Sequence, residues 1–183
     1  MSRTVLIPVA QGSEEIEAVT LIDLLRRAGL EVVVASLDGD VVTCSRGVHL
    51  VPDCSFDLAL EHEYDAVILP GGLPGADHLA ADERLLDLLR DMDRRQLMVG
   101  AICAAPKVLK RAGVLEGRKA TSFPGVLEAE GHGKGLNQPV VRDGHIMTSR
   151  GPGTAMDFAL AIIEALLGPE TRQSVEAPLQ RYP

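Results

Sequence analysis

Short apolar, β-branched runs alternate with longer stretches of helical period along this chain. Val5-Leu6-Ile7-Pro8-Val9 leads into the stretch 14–27 and then into Val32-Val33-Val34-Ala35. Ala66-Val67-Ile68-Leu69 precedes a helical stretch over 85–92, and the apolar run 97–102 precedes another over 104–112. Strands separated by helical segments of this length predict an α/β fold, a mainly parallel sheet with helices on both faces. The strands are nearly continuous apolar runs, as a sheet covered on both sides requires.

Two places break the alternation. Val41-Val42 with the stretch 48–51 reads as an antiparallel pair, and so does 140–142 with 145–148, where Asp143-Gly144 is a hairpin signal. Near the end, Ala155, Phe158, Ala159, Ile162, Ile163 and Leu166 keep an i, i+3, i+4 rhythm. Thr154 with Asp157 resembles a capping box at its start, and Gly168-Pro169 ends it. Gly131-His132-Gly133-Lys134-Gly135 reads as a surface loop. No repeat or composition shift marks a boundary, so the 183 residues are expected to form a single domain over 1–183.

Composition narrows the function. Lys and Arg number 18 against 26 Asp and Glu, and a net charge of −8 opposes general nucleic-acid binding. Aromatic residues are only 3%, which leaves few platforms for stacking bases. No apolar run reaches the roughly 18 residues that cross a bilayer, and Ser2-Arg3-Thr4 opens no signal-peptide pattern. Three cysteines make no disulfide framework. A cytoplasmic protein without membrane association is expected.

In an open α/β sheet, ligands bind beyond the carboxyl ends of the strands. The residues at those ends are Gln11 to Glu14, Gly71-Gly72, Cys103, Ser122-Phe123-Pro124 and Ser149 to Pro152. Cys103 ends a strand, precedes a helix and stands among small residues (Gly100, Ala101, Ala104, Ala105). That is the pattern of a nucleophile elbow, in which a tight strand-to-helix turn exposes the reactive atom. A helix N-terminus would lower the thiol pKa; the other reading is a buried cysteine packing as a small hydrophobe.

On the first helix, the expected buried arc is Ala18, Leu21, Ile22, Leu25 and Ala28, with Glu17 at its edge. Glu14 and Glu15 are accounted for as first-turn acids. Glu17 either stays protonated at an apolar edge, as a donor or general acid, or turns outward to solvent or an Arg. Gly71-Gly72 either offers backbone N–H groups to an oxyanion or is a plain tight turn. Arg26, Arg27 and Arg46 either read a small anion or are solvated. There is no GxGxxG or P-loop, so no nucleotide cofactor is expected. The cysteines lack CxxC and the five histidines lack HxxxH, so no metal is expected.

Taken together, residues 12–17, Leu69-Pro70-Gly71-Gly72, the run 101–106 and the run 148–154 resemble the ThiJ/PfpI superfamily. Within it the likeness is to the bacterial YajL-like branch and its human Parkinson-associated relative. It runs nearly end to end, through Thr43-Cys44-Ser45-Arg46 and the closing Glu176-Ala177-Pro178-Leu179. The resemblance implies a flavodoxin-like three-layer sandwich acting as a homodimer. It puts the reactive cysteine on Cys103, its protonated glutamate on Glu17 and the backbone donors on Gly72 and Ala104. Gly71, Arg27, Arg46, Phe123 and Pro152 would line the site, the arginines and Pro152 near the subunit boundary. Ile16 and Val19, off the buried arc, leave the first helix apolar surface for such a contact.

Two departures matter. Phe123 stands where the human relative has a histidine, and Ala104 stands where the peptidase branch has one. Without those bases, a Cys-His peptidase is the weakest of the readings. The resemblance then implies a cofactor-independent glyoxalase or deglycase. It would act on methylglyoxal, glyoxal or their adducts on proteins and nucleotides, giving lactate or glycolate. The alternative is an oxidative-stress sensor and redox-regulated chaperone working through oxidation of Cys103.

Overall fold

The structure, a computed structural model, describes residues 3–181. Met1, Ser2, Tyr182 and Pro183, and with them the expectation placed on Ser2, lie outside the described residues. Elements follow in the order β1 (Thr4–Val9), α1 (Glu15–Arg27), β2 (Glu31–Ser36), β3 (Val42–Thr43), β4 (His49–Leu50), β5 (Cys54–Ser55), α2 (Phe56–Ala59), β6 (Ala66–Leu69) and α3 (Gly75–Ala81). The chain continues through α4 (Glu83–Arg94), β7 (Met98–Ile102), α5 (Pro106–Arg111), α6 (Val126–Ala129), β8 (Val140–Asp143), β9 (Ile146–Ser149), α7 (Ala155–Leu167) and α8 (Pro169–Glu176).

The main sheet has seven strands in the order β5-β2-β1-β6-β7-β9-β8. Every neighbouring pair is parallel except β8 with β9. Strand alternation sorts the core into two layers. On β1, Leu6 faces a cluster with Phe56 of α2, Leu79 of α3, Leu85 and Leu89 of α4 and Val108 of α5. Val5, Ile7 and Val9 face the opposite cluster, with Leu21, Leu24 and Leu25 of α1 and Phe158, Ile162 and Ile163 of α7. This is the expected flavodoxin-like α/β sandwich. Gly100 on β7 is required by the packing: a Cβ there would stand 2.8 Å from Ile68 Cδ1 and 3.0 Å from Phe158 Cζ.

Several local expectations shift. The buried arc of α1 includes Leu24 and the acids Glu15 and Glu17, while Ile22 and Ala28 are only half-buried. The β8–β9 turn is Gly144-His145 and not Asp143-Gly144, because Asp143 pairs with Ile146 and Gly144 takes the positive φ that a two-residue loop needs. Thr154 makes no side-chain cap to α7. Its hydroxyl is engaged by Ser149 and Gly151 instead. Gly168, at φ 92, does stop α7, but Pro169 then starts α8, a helix the periodicity did not announce. The short edge strand β5 also went unforeseen. Among the described residues, no helix is long and apolar enough to cross a membrane.

Candidate active site

The chain passes from β1 to β2 on one side and returns to place β6 on the other side of β1. The loops after β1 and β6 therefore diverge, and open α/β sheets bind ligands at such a switch point. The β1 loop delivers Ser13 and the start of α1, the β6 loop delivers Gly71-Gly72, and β7 delivers Cys103.

Backbone bonds lock these loops together. Ser13 Oγ accepts from Ala10 N–H at 3.0 Å, and Glu14 N–H donates to the Gly71 carbonyl at 2.9 Å. Glu14 caps α1, its carboxylate accepting from Glu17 N–H at 2.8 Å. That cap orients the first turn so that Glu17 points into the sheet edge, where it is fully buried. Its Oε2 accepts from Gly71 N–H at 2.7 Å, and its carboxyl also hydrogen-bonds the Cys103 thiol.

Cys103 has φ 63, the left-handed conformation that costs a non-glycine residue roughly 1–2 kcal/mol. Its N–H donates to Ser149 O at 3.0 Å and its carbonyl accepts from Phe123 N–H at 2.8 Å, which holds the turn between two neighbouring loops. This is the elbow the small flanking residues suggested. The N–H groups of Gly72 and Ala104 both donate toward the thiol sulfur. The glycines before it are sterically fixed. A Cβ on Gly71 would lie 2.8 Å from Cys103 Cβ, Glu17 Oε2 and Ile102 O, and one on Gly72 would lie 2.4 Å from Glu14 N.

The electrostatics correct one expectation. Cys103 does not gain a lowered pKa from a helix N-terminus. Burial, and after it the Glu17 charge and hydrogen bond, push the thiol up to about 12 against the pull of Ala104 and Gly72 N–H. Glu17 is itself raised to about 7 by burial, with Gly71 and Cys103 hydrogen bonds opposing and the Glu14 charge adding. Its Oε1 is buried with no hydrogen-bond partner, a setting that favours the neutral acid. The two groups titrate as a pair. When Glu17 is neutral its repulsion of a thiolate disappears and its carboxyl becomes a donor to that thiolate.

A pocket of about 310 Å³ opens onto the sulfur, lined by Arg46, Gly72, Cys103, Ala104, Phe123 and Pro152, and also by Glu14, Ser45, Leu73 and Val126. Arg27 is not among them. It stands in the last turn of α1, paired with Asp23 at 2.7 Å. Glu15 acts beyond a first-turn acid. Its Oε1 accepts from Arg46 N–H at 2.7 Å and its Oε2 from Ser45 Oγ at 2.8 Å, fixing the loop that forms one pocket wall. Burial alone would raise its pKa, but hydrogen bonds from its own backbone, Ser45 and Arg46 outweigh that and leave it lowered. Cys44 and Cys54 are free thiols with raised pKa, each mainly through burial, and neither lines this pocket. Among the described residues no cluster of His, Cys, Asp or Glu could hold a metal ion.

The DJ-1/PfpI family model matches residues 3–165 of this chain. The chain belongs to the DJ-1/PfpI family. Drosophila melanogaster dj-1beta is 42% identical over 178 residues, covering 96% of this chain and 95% of that protein. A glutathione-independent glyoxalase of Caenorhabditis elegans is 37% identical, covering 97% and 95%. Arabidopsis thaliana DJ-1 homolog B is 45% identical over 91% of this chain, which spans only 38% of that longer protein. Among solved structures, Drosophila DJ-1beta superposes with a TM-score of 0.94 at 41% identity, covering 100% of both chains. Oxidised Toxoplasma gondii DJ-1 superposes at 0.93 with 39% identity, covering 97% and 98%. Within this DJ-1/PfpI member, Ser45, Leu73, Val126 and the Glu15 anchor are what sequence reasoning passed over. The only signal was the Thr43 to Arg46 motif, which marks the loop but not its partner.

Proposed function

We propose that this protein is a cofactor-independent glyoxalase or deglycase acting on methylglyoxal, glyoxal or their adducts. The observation that carries this reading is the Cys103 sulfur held between a buried Glu17, raised to about 7, and two backbone N–H groups in an open pocket. The C. elegans relative named as a glutathione-independent glyoxalase supports it.

The chemistry balances without an external oxidant. The Cys103 thiolate adds to the aldehyde carbon of methylglyoxal, and the new alkoxide accepts hydrogen bonds from Gly72 and Ala104 N–H. Glu17 first passes the proton it holds to the oxygen of this adduct. As a carboxylate it then takes the proton from the aldehyde carbon and returns it to the neighbouring ketone carbon, while water carries the oxygen-bound proton across to the new alcohol. The aldehyde carbon is thereby oxidised to a thioester as the ketone is reduced to an alcohol. Water cleaves the thioester, releasing lactate and restoring the thiol. Phe123 supplies no base at the pocket wall, so Glu17 and water carry every proton.

A second reading rests on the same cradle. Two N–H donors and a neutral carboxyl also suit a cysteine sulfinate, so oxidation of Cys103 could switch a stress-protective chaperone. We assign the protein to a homodimer in either case. Ile16 and Val19 on α1 are 56% and 46% exposed, and Val48 and Val51 beside β4 are 48% and 75% exposed.

Methylglyoxal loss and lactate gain in a non-amine buffer test the enzyme reading. Stoichiometric conversion by the native protein, abolished by iodoacetamide blocking of Cys103, is expected. Inert native protein, with protective activity retained in Cys103→Asp, would transfer the assignment to the sensor.

A further inference from the structure

The Cys103 pocket does not end at Phe123 and Pro152. Those two residues are shared with a second cavity of about 300 Å³ over Gly151, Gly153 and Thr154. That cavity shares Pro124 and Arg150 with a third, of about 220 Å³, which also holds Lys134, Asn137 and Glu128. Shared walls thus set three cavities side by side, from the reactive sulfur to the loop over 131–137. The first pocket alone is in the range that takes a drug-sized ligand, far more than a three-carbon dicarbonyl fills.

Three unpaired cations lie along these cavities. The chain carries a net charge of −8, and elsewhere its arginines are largely matched, as in Arg26–Asp53, Arg84–Asp82, Arg118–Asp93 and Arg172–Glu164. Among the described residues, Arg46, Lys134 and Arg150 form no ion pair, and neither do Arg3, Arg111, Lys119 and Arg142 away from these cavities. Arg150 is half-buried, and its guanidinium donates to the neutral amide oxygen of Asn137. It is therefore held in place without being neutralised, with N–H groups to spare for a bidentate partner. Glu128 is exposed and is the only acid among the lining residues of the far cavity, against two cations.

We propose that Arg150 and Lys134 form an anion subsite, so that the preferred substrate is a dicarbonyl or dicarbonyl adduct with a phosphate or carboxylate at the end remote from the reacting carbon. This rests on the glyoxalase reading of Cys103 and names the substrate class for that same site. The reactive carbonyl enters the Cys103 pocket, the linking atoms pass Phe123 and Pro152, and the anion meets Arg150. Charge-assisted hydrogen bonds from a guanidinium to phosphate or carboxylate are about twice as strong as neutral ones.

The test compares methylglyoxal with the same molecule carrying a phosphate ester on its methyl carbon, and with a five-carbon dicarbonyl ending in a carboxylate, at matched ionic strength. The native protein is expected to favour one or both anionic substrates in kcat/KM; which one is favoured distinguishes a phosphate from a carboxylate subsite. That preference should fall about tenfold in Arg150→Gln, fall further with Lys134→Gln added, and recover in part in Arg150→Lys. Turnover of methylglyoxal without any anionic preference overturns the subsite and leaves the glyoxalase intact. If no dicarbonyl is turned over, the glyoxalase reading fails and the subsite is read by protection. Glycerol phosphate, but not glycerol, should slow iodoacetamide alkylation of Cys103 in the native protein and not in Arg150→Gln; equal rates overturn it.

Discussion

A methyl group placed on Gly71 would stand 2.8 Å from the Cβ of Cys103, closer than real carbon contacts allow. The same methyl would press equally close on Glu17 Oε2, so the glycine sets the spacing of these two side chains. Gly71→Ala is expected to cost about 1–3 kcal/mol in stability, the range for overpacking a filled site, and to depress lactate formation at least tenfold. Urea midpoints and initial rates on the same preparation check both.

Glu17 gives stability a pH dependence. Its carboxyl is raised from 4.5 to about 7, so between those values the folded protein holds a proton that the unfolded chain has released. The number of protons bound is then greater in the native state, and stability falls as pH rises. A shift of this size corresponds to about 3 kcal/mol. Glu17→Gln removes the ionisation, so native and variant proteins should diverge between about pH 4.5 and pH 7, the native protein losing ground, and run parallel above that. Parallel curves in urea titrations across that range would show that Glu17 does not titrate there.

Glu15 should matter although it stands away from the sulfur. Removing its carboxylate in Glu15→Ala leaves Ser45 Oγ–H and Arg46 N–H without their acceptor. A cost of about 1–2 kcal/mol is expected, with KM for dicarbonyls raised more than kcat is lowered because a pocket wall loosens. Steady-state kinetics beside thermal melts separate the two effects.

Gly100→Ala probes the core behind the site. Its methyl would crowd Ile68 and Phe158 between β7 and α7, for about 1–3 kcal/mol of destabilisation. Cys103 alkylation rates should change little below the melting transition, since neither crowded side chain lines the pocket that opens onto the sulfur.

The sheet was legible because its strands are buried on both faces and so read as unbroken apolar runs. Cys103 was legible because a left-handed turn between strand and helix demands the small neighbours that the sequence displays. The wrong sign for its pKa has a physical origin. Sequence shows a helix following the cysteine, but not that Glu17, from another element, buries a carboxyl against it. Glu15 was hidden for the same reason, since its partners Ser45 and Arg46 lie some thirty residues away in sequence. Strand β5, with two residues, is too short for any periodicity to register. Arg27 was read either as an anion reader or as solvated, and only the resemblance set it by the site; the helix carries it to its far end, beside Asp23.

The most direct test of the account is the rate of lactate formation from methylglyoxal by Glu17→Gln, followed by proton NMR in a non-amine buffer. Glutamine keeps the shape and can still accept from Gly71 N–H, but it cannot carry the proton. A fall in kcat of about 100-fold or more is expected, the usual contribution of a positioned acid–base group, with Cys103 still open to alkylation. A variant that makes lactate as fast as the native protein would contradict the central claim that Glu17 moves the proton for Cys103.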